Sequence, residues 1–234
     1  MEFSVQTANP AKTETACLLV PVFKGSDLLP TVAKLDDASE RLIGQLLERG
    51  DFDAALGNVQ LVPFAPGLGA ERILLVGLGE REKCQEAAFI KALDAAMAAL
   101  VKLPIDEASV VFGDVPLADR DPAWKARKVM EAAERAIYRF DQFKSSPAPA
   151  LSLAKLTLMI SDADAVSQVK QGALIGNAIG QGINYTRTLG NLPANICTPR
   201  YLAEQAEQLG RDSKGALEVD ILDEEALEAL GAGS

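Results

Sequence analysis

Apolar runs of strand length recur through the first two thirds of the chain. The run at 15–23 is continuous, which is typical of a strand buried on both faces of a sheet. The weaker alternation at 3–8 predicts an edge strand. The runs at 59–64 and 72–76 are expected to form a hairpin, because a Pro-Gly pair at 66–67 lies between them. Two further strands are predicted, at 108–112 and 156–160.

Segments with apolar residues at helical spacing alternate with these strands. The pattern predicts helices over 37–49, 83–103 and 121–144. Gly50 ends the first, and Asp121-Pro122 begins the third. Later in the chain the pattern predicts a helix at 198–209, a strand at 217–221 and a helix at 223–231. This alternation indicates an α/β fold with a sheet flanked by helices.

A long helix is predicted to follow Asp162 and Asp164, two candidate turn and cap residues, and to run to about residue 190. Glycines recur along it, which lowers its intrinsic helix propensity. Such a helix is expected to pack closely against a neighbour, and a domain outside this chain is one candidate. Its predicted packing stripe consists of Gly172, Ile175, Ile179, Ile183 and Thr186.

Gly77-Leu78-Gly79 directly follows the predicted 72–76 strand, which is the position of a dinucleotide-binding fingerprint. Glu82 stands where the third glycine of that pattern belongs, and Glu80 adds negative charge where a pyrophosphate would lie. We therefore interpret Gly77-Leu78-Gly79 as a structural turn at the end of a buried strand.

The net charge of −10 opposes binding to nucleic acid, because that binding depends on cationic side chains that displace counterions. Residues 200–234 hold three basic and nine acidic residues. A modest basic cluster begins with Lys125, Arg127 and Lys128. It is interpreted as a solvated helix face whose charges pair with Glu131 and Glu134 at helical spacing.

The cysteine and histidine content excludes several kinds of site. The chain has no histidine, which removes the commonest metal ligand and general base and excludes a Cys/His nucleophile. Its three cysteines, Cys17, Cys84 and Cys197, are widely spaced and predict neither a disulfide framework nor a zinc site. Cys17 lies in an apolar run and is expected in the core.

Acidic residues near the end of the chain offer one alternative metal site, formed by Asp220, Asp223, Glu224 and Glu225. Carboxylates at a helix start are stabilised by the helix dipole without an ion, so a capping role is favoured. The amino-terminal residues lack the pattern of a signal peptide. The longest apolar run, at 16–23, is too short to span a bilayer, so a cytoplasmic location is expected.

The stretch at 185–203 joins the long helix to a proline-containing turn and then to a second helix. Pro193 and Pro199 restrict the backbone, and Asn191 and Asn195 favour turns. Such a composition predicts an ordered connection between two rigid bodies.

These residues resemble the junction motif of the leucyl aminopeptidase family, R-x-L-x-N-x-P-P-N-x-x-x-P-x-x-L-A, with Ala194 in place of the second proline. The stretch at 136–145 is similar to the family's Y-x-F-D-x-[YF]-K-S element. Two motifs in the expected order are far more specific than one. The matching residues of the junction motif are Arg187, Leu189, Asn191, Pro193, Asn195, Pro199, Leu202 and Ala203.

The resemblance implies three parts: a macro-domain-like α/β domain with a mixed sheet at 1–162, a connecting helix at 163–190, and the incomplete start of an α/β catalytic domain at 191–234. In the family, two divalent metal ions, manganese or zinc, are held by segments similar to K-G-x-x-x-D-x-G-G and N-T-D-A-E-G-R, and neither segment occurs here. The ending G-A-G-S resembles a G-M-G-S element upstream of those ligands, so the chain is expected to break off before them.

The leading hypothesis is therefore the amino-terminal part of a metal-dependent leucyl aminopeptidase, which acts on peptides and assembles as a homohexamer. The chain alone is expected to be inactive, to bind no metal and to contain no catalytic, cofactor-binding or metal-binding residue. The alternative is an autonomous macro-like module that binds a nucleotide or DNA, although the acidic charge disfavours DNA. A third possibility is a role in assembly.

Overall fold

The computed structural model describes residues 1–25 and 27–232 of the chain. It divides into two compact units, Met1–Asn184 and the segment from Tyr185 onward. The helix that carries the boundary belongs to both.

A sheet of six strands forms the centre of the first unit, within the described residues. Its spatial order is β1-β6-β5-β2-β4-β3. Neighbouring strands are parallel except for β3, which pairs antiparallel with β4. The strands are β1 (Glu2–Gln6), β2 (Leu18–Phe23), β3 (Val59–Val62), β4 (Ile73–Gly79), β5 (Glu107–Val110) and β6 (Lys155–Met159).

Helices follow or connect most of these strands, and a short 3-10 turn occupies Arg81–Lys83. The α-helices are α1 (Pro30–Ala38), α2 (Leu42–Arg49), α3 (Glu86–Leu100), α4 (Pro122–Ile137), α5 (Val166–Asn191), α6 (Pro199–Asp212) and α7 (Glu224–Ala229). The predicted class, α/β with a mixed sheet flanked by helices, is confirmed.

The burial of the strands follows the apolar pattern. Every residue of β2 and β4 is buried, as the continuous run at 15–23 predicts for interior strands. β1 lies at one edge of the sheet and is only half-buried, which confirms the edge prediction for 3–8. The antiparallel pairing of β3 with β4 confirms the hairpin.

The helix predicted over 37–49 is confirmed from Leu42 to Arg49 and ends at Gly50 as predicted, but its start is wrong, because two helices occupy this region. α1 ends at Ala38, and α2 begins at Leu42. Between them Glu40 and Arg41 take the left-handed conformation, with φ of 56° and 62°. That conformation turns the chain sharply, so the apolar positions on its two sides belong to two helical faces.

The predicted turn at Gly77-Leu78-Gly79 is also wrong, because β4 continues through all three residues. A Cβ on Gly77 would lie 2.1 Å from the carbonyl oxygen of Ala55, so the glycine permits a close approach of two backbone segments. Gly79 has a φ of 74°, which favours glycine. Both glycines therefore have structural roles, as expected.

Two predicted helices are shorter in the structure. α4 ends at Ile137 instead of residue 144, and Tyr138 already has an extended backbone. The helix predicted over 83–103 is observed as the 3-10 turn followed by α3. Asp121 caps α4 as predicted, since its side chain accepts the backbone N–H of Trp124 at 2.7 Å.

The packing stripe predicted for α5 is confirmed for Gly172 and wrong for the other four residues, none of which is buried. Ile175 and Ile183 are exposed, whereas Gly172, Gly176 and Gly180 are buried. Cβ atoms on Gly172 and Gly176 would lie 2.1 Å and 2.3 Å from carbonyl oxygens of α4. The glycines therefore let the helix axis approach α4 of the same unit, which confirms the predicted close packing and identifies a neighbour within the chain.

The second unit contains α6 and α7, neither of which has a buried residue. Thr198 and Asp223 cap them, as predicted. The strand predicted at 217–221 is wrong, since the structure assigns no strand there. A lone strand lacks the backbone partners that a sheet supplies. The Gly233-Ser234 part of the G-A-G-S element lies outside the described residues.

Candidate functional site

The carboxyl ends of the parallel strands form one edge of the sheet, where ligands of α/β proteins usually bind. A cavity of about 410 Å³ lies there, beside the ends of β1, β5 and β6 and the first turn of α1. Asp114, which follows β5, is the central polar group. It accepts the backbone N–H of Thr31 at 2.9 Å, the hydroxyl of Thr31, and the hydroxyl of Ser161 at 3.2 Å.

This arrangement opposes a phosphate ligand at the start of α1. The carboxylate of Asp114 already occupies the backbone N–H that an anion would use, and its charge repels a second anion. Sequence reasoning missed Asp114. Its place in the loop after a predicted buried strand, β5, was the available signal, but its partner α1 had not been predicted.

The basic residues of α4 are mostly paired. Arg127 and Lys128 each contact Glu131 at 2.7 Å, and Arg135 contacts Asp94 at 2.6 Å. The predicted pairing of Arg127 with Glu131 at helical spacing is confirmed. The predicted solvation is wrong for the acidic partners, because Glu131 and Glu134 are buried.

The electrostatics of this cluster follow from its contacts. Burial raises the pKa of Glu131, but hydrogen bonds from Lys128 and Arg127 outweigh it, so the pKa lies below its usual value. Glu134 pairs with the amino group of Met1 at 3.3 Å. Lys125 donates to the carbonyl of Gly113 at 2.8 Å, and partial burial lowers its pKa. The basic side chains of this cluster therefore already bind acceptor groups of the same chain.

The acidic residues considered as metal ligands have local roles. Asp223 accepts the backbone N–H of Ala226 at 2.9 Å, and Asp162 accepts that of Asp164 at 2.9 Å. These contacts confirm the cap and turn predictions for the two residues. Within residues 1–25 and 27–232, no three His, Cys, Asp or Glu side chains are grouped as a metal site would require.

All three cysteines are free thiols. Cys17 is fully buried, and burial raises the pKa of its thiol to about 12, which confirms its predicted place in the core. Cys84 is half-buried, and its pKa is also raised by burial. A raised pKa keeps a thiol protonated and poorly nucleophilic.

The junction after α5 is held by local hydrogen bonds. The carbonyl of Pro193 accepts the backbone N–H groups of Ile196 and Cys197 at 2.9 Å and 3.0 Å. Thr198 then caps α6 by accepting the N–H of Tyr201 at 3.3 Å. The prediction of an ordered turn here is confirmed at the level of backbone geometry.

Across the described helices, none is long and apolar enough to cross a membrane.

Comparisons with known proteins identify a matching family model and similar proteins. The family model for the N-terminal domain of the cytosol aminopeptidase family matches residues 19–147. A probable cytosol aminopeptidase of Chromohalobacter salexigens is 66% identical over 234 residues, covering all of this chain and 46% of the relative. The cytosol aminopeptidase of Pseudomonas aeruginosa is 39% identical over 234 residues, again covering all of this chain and 47% of the relative.

Solved structures show the same fold. A tomato leucine aminopeptidase variant matches with a TM-score of 0.80 and 21% identity, over 99% of this chain and 46% of that one. The bottromycin maturation enzyme BotP in complex with Mn matches with a TM-score of 0.68 and 22% identity, over 93% of this chain and 40% of that one.

The chain spans about half the length of the relatives that it matches. More than half of its own residues fall within the family's N-terminal domain, and its full length aligns with cytosol aminopeptidases. The chain therefore belongs to the cytosol aminopeptidase family, of which it carries the N-terminal domain.

Proposed function

We propose that this chain is the non-catalytic, amino-terminal part of a metal-dependent leucyl aminopeptidase. The longer protein would release amino-terminal residues, especially aliphatic ones, from peptides. The observation that carries this proposal is the N-terminal domain match at 19–147, together with 66% identity to a probable cytosol aminopeptidase along the whole chain.

The proposal also assigns each segment of the chain to a part of the longer protein. Residues 1–162 form the amino-terminal domain, 163–190 the connecting helix, and 191–234 the start of the catalytic domain. The boundary between the two compact units lies inside α5, which supports a connecting role for that helix.

The metal centre of the longer protein would hold two divalent ions, manganese or zinc. Such a pair would polarise the scissile carbonyl and lower the pKa of a bridging water. Its ligands would come from segments beyond this chain, since neither family metal-binding segment occurs in it. A manganese complex of the structurally similar BotP agrees with this choice of metal.

We further propose that the longer protein is cytoplasmic and assembles as a homohexamer. The names of the relatives, which are cytosol aminopeptidases, support the location. The 234-residue chain alone is expected to be monomeric or weakly associated, which size-exclusion chromatography with light scattering measures.

Two measurements test the proposed activity. The codons that follow Ser234 in the source gene are expected to encode the lysine-containing and N-T-D-A-E-G-R segments. The purified chain is expected to leave leucyl-p-nitroanilide intact with manganese or zinc added, whereas the longer protein hydrolyses it. Hydrolysis by the chain itself, with contaminating peptidase excluded, would refute its assigned inactivity, and a gene without those segments would refute the parent's identity.

Calorimetric titration with ADP-ribose and a low-salt gel shift with duplex DNA test the alternative of a binding module. The occupied start of α1 and the paired basic residues of α4 predict no binding in either experiment.

A further inference from the structure

The amino group of Met1 forms an ion pair within the first unit. It donates to Oε1 of Glu134 on α4 at 3.3 Å, and the side chains of the two residues are 1% and 4% exposed. The first residues of most domains are poorly ordered unless a contact holds them. Because β1 begins at the next residue, this ion pair anchors the start of that strand.

Glu134 depends on Met1 for its countercharge. A buried carboxylate without a cationic partner is costly. Met1 provides the only ion pair of Glu134 in the part of the chain that the structure describes. The basic side chains that precede Glu134 on α4, Arg127 and Lys128, pair with Glu131 instead.

α5 holds this carboxylate from another side. Gly180 lies directly against Glu134, since a Cβ on the glycine would be 2.4 Å from the Cβ of Glu134. The amide nitrogen of Asn184 donates to the backbone carbonyl of Glu134 at 2.8 Å and lies 3.5 Å from its Oε2. The carboxylate is therefore held in place by α5 while it contacts the amino terminus.

The strand that follows Met1 has one neighbour in the sheet. The N–H of Glu2 donates to the carbonyl of Ala154 at 3.0 Å, and β1 then pairs in parallel with β6. Among the described residues no strand lies on its other side. An edge strand with few buried contacts opens more readily than an interior strand, so an anchor at its end matters.

We infer that Glu134 is a recognition site for the free, protonated amino group of Met1, and that acylation of this amine releases β1 from the edge of the sheet. Acylation converts the ammonium into a neutral amide, which leaves the buried carboxylate without its countercharge. The acylation state of Met1 therefore controls how firmly β1 is attached, whether or not the longer protein is a peptidase.

Semisynthesis of the 234-residue chain tests this inference. Cys17 is a natural junction at which a synthetic 1–16 thioester can be ligated to an expressed 17–234 segment. The ligated chains differ only at Met1, which carries a free amine, an acetylated amine or, in the desamino form, hydrogen in place of the amino group. The desamino form removes the charge without adding bulk.

The readout is hydrogen exchange, measured by mass spectrometry of peptides from β1 and β4. The β1 amides should exchange at least about tenfold faster in the acetylated and desamino chains than in the free-amine chain, because a hydrogen bond between charged groups is lost. The β4 amides should exchange at the same rate in all three, since β4 lies in the interior of the sheet.

Variants assign the effect to Glu134. Glu134→Gln keeps the shape of the side chain but removes its charge. It should speed β1 exchange about tenfold in the free-amine chain and no further in the desamino chain, which has already lost the pair. Glu131→Gln is the matched control on the same helix, because its partners are side chains of α4. It should have the same effect in both chains.

The inference is overturned if the desamino chain keeps the β1 protection of the free-amine chain. Faster exchange in the acetylated chain alone would also overturn it, because exclusion of bulk and not recognition of charge would then explain the result. An equal effect of Glu134→Gln in the free-amine and desamino chains would likewise contradict the assigned pair.

Discussion

Asp121, Asp114 and Asp36 each accept a backbone N–H from the first turn of a helix. Asp121 caps the helix that it directly precedes, and that role was predicted from its neighbour Pro122. Asp114 and Asp36 do not directly precede the helices that they cap, and the N–H groups that they accept lie 83 and 8 residues away in the chain. The same capping role is therefore evident from the sequence for Asp121 but not for Asp114 or Asp36.

The three cysteines are expected to react at very different rates. Cys17 is fully buried and its pKa is about 12, so both access and thiolate formation are suppressed. With Ellman's reagent at pH 8, Cys197 should react first and Cys84 more slowly. Cys17 should react only after denaturant is added. Rapid reaction of all three thiols in the native protein would contradict the buried position of Cys17.

Replacing Glu131 should make stability less dependent on pH. The pKa of Glu131 is lowered from 4.5 in the fold, so its contribution to stability is full above that value and is lost as pH falls through the folded pKa. Glu131→Gln should lower the free energy of unfolding by about 1–2 kcal/mol at pH 7, through loss of charged hydrogen bonds.

The measurement is urea denaturation at pH 7 and at pH 3. The difference between the variant and the unaltered chain should shrink at the lower pH. Glu204→Gln, at a residue of α6 that makes no ion pair among the described residues, is the control and should change little at either pH. A difference for Glu131→Gln that grows toward pH 3 would reverse the assigned sign.

At the scale of elements, the contact between α4 and α5 depends on glycine. Gly172 and Gly176 face backbone atoms of α4, while the isoleucines at 175 and 183 face away from the packed side. An apolar stripe was a reasonable prediction from spacing alone. Two helices whose backbones approach closely bury more surface than helices held apart by isoleucine side chains. Whether such an approach is possible depends on the shape of the neighbouring helix.

Two alanine substitutions on α5 should have opposite effects. Gly176→Ala places a Cβ 2.3 Å from the carbonyl oxygen of Arg127 and should lower the free energy of unfolding by about 2 kcal/mol or more. Gly182→Ala meets no atom within 4 Å and should raise it by about 0.5–1 kcal/mol through helix propensity. Chemical denaturation measures both, and equal effects would refute the assigned contact.

At the scale of the whole molecule, burial is distributed unequally between the two units. The first has a continuous core that spans the sheet and the helices α1 to α5. In the second, α6 and α7 bury no residue. Large apolar side chains remain exposed there, at Leu202, Leu209, Leu217, Val219, Ile221, Leu222, Leu227 and Leu230.

Hydrogen exchange should reflect this difference. Helices of this length without a buried face are marginal in water, so the amides of α6 and α7 should exchange at least about a hundredfold faster than those of β2 and β4. Mass spectrometry of peptides from the two units measures the ratio. Comparable protection in α6 and β4 would contradict the assigned difference in local stability.

The sequence by itself determined the α/β class, five of the strand positions and the edge place of β1, the caps of α4, α6 and α7, and the family motifs. Each of these depends on neighbours within a few positions or on a period of two or three to four residues. The sixth strand, β4, was located but ended too early, because its glycines were interpreted as a turn.

Only the tertiary structure decided the break at Glu40 and Arg41, the side of α5 that packs, and the place of Asp114 beside the cavity at the edge of the sheet. The break at Glu40 and Arg41 depends on a left-handed backbone that the apolar spacing does not encode. The packed side of α5 and the contact of Asp114 with α1 depend on segments far apart in the chain. The strand predicted at 217–221 failed for the same reason, since a strand requires a hydrogen-bonded partner and not only an alternating pattern.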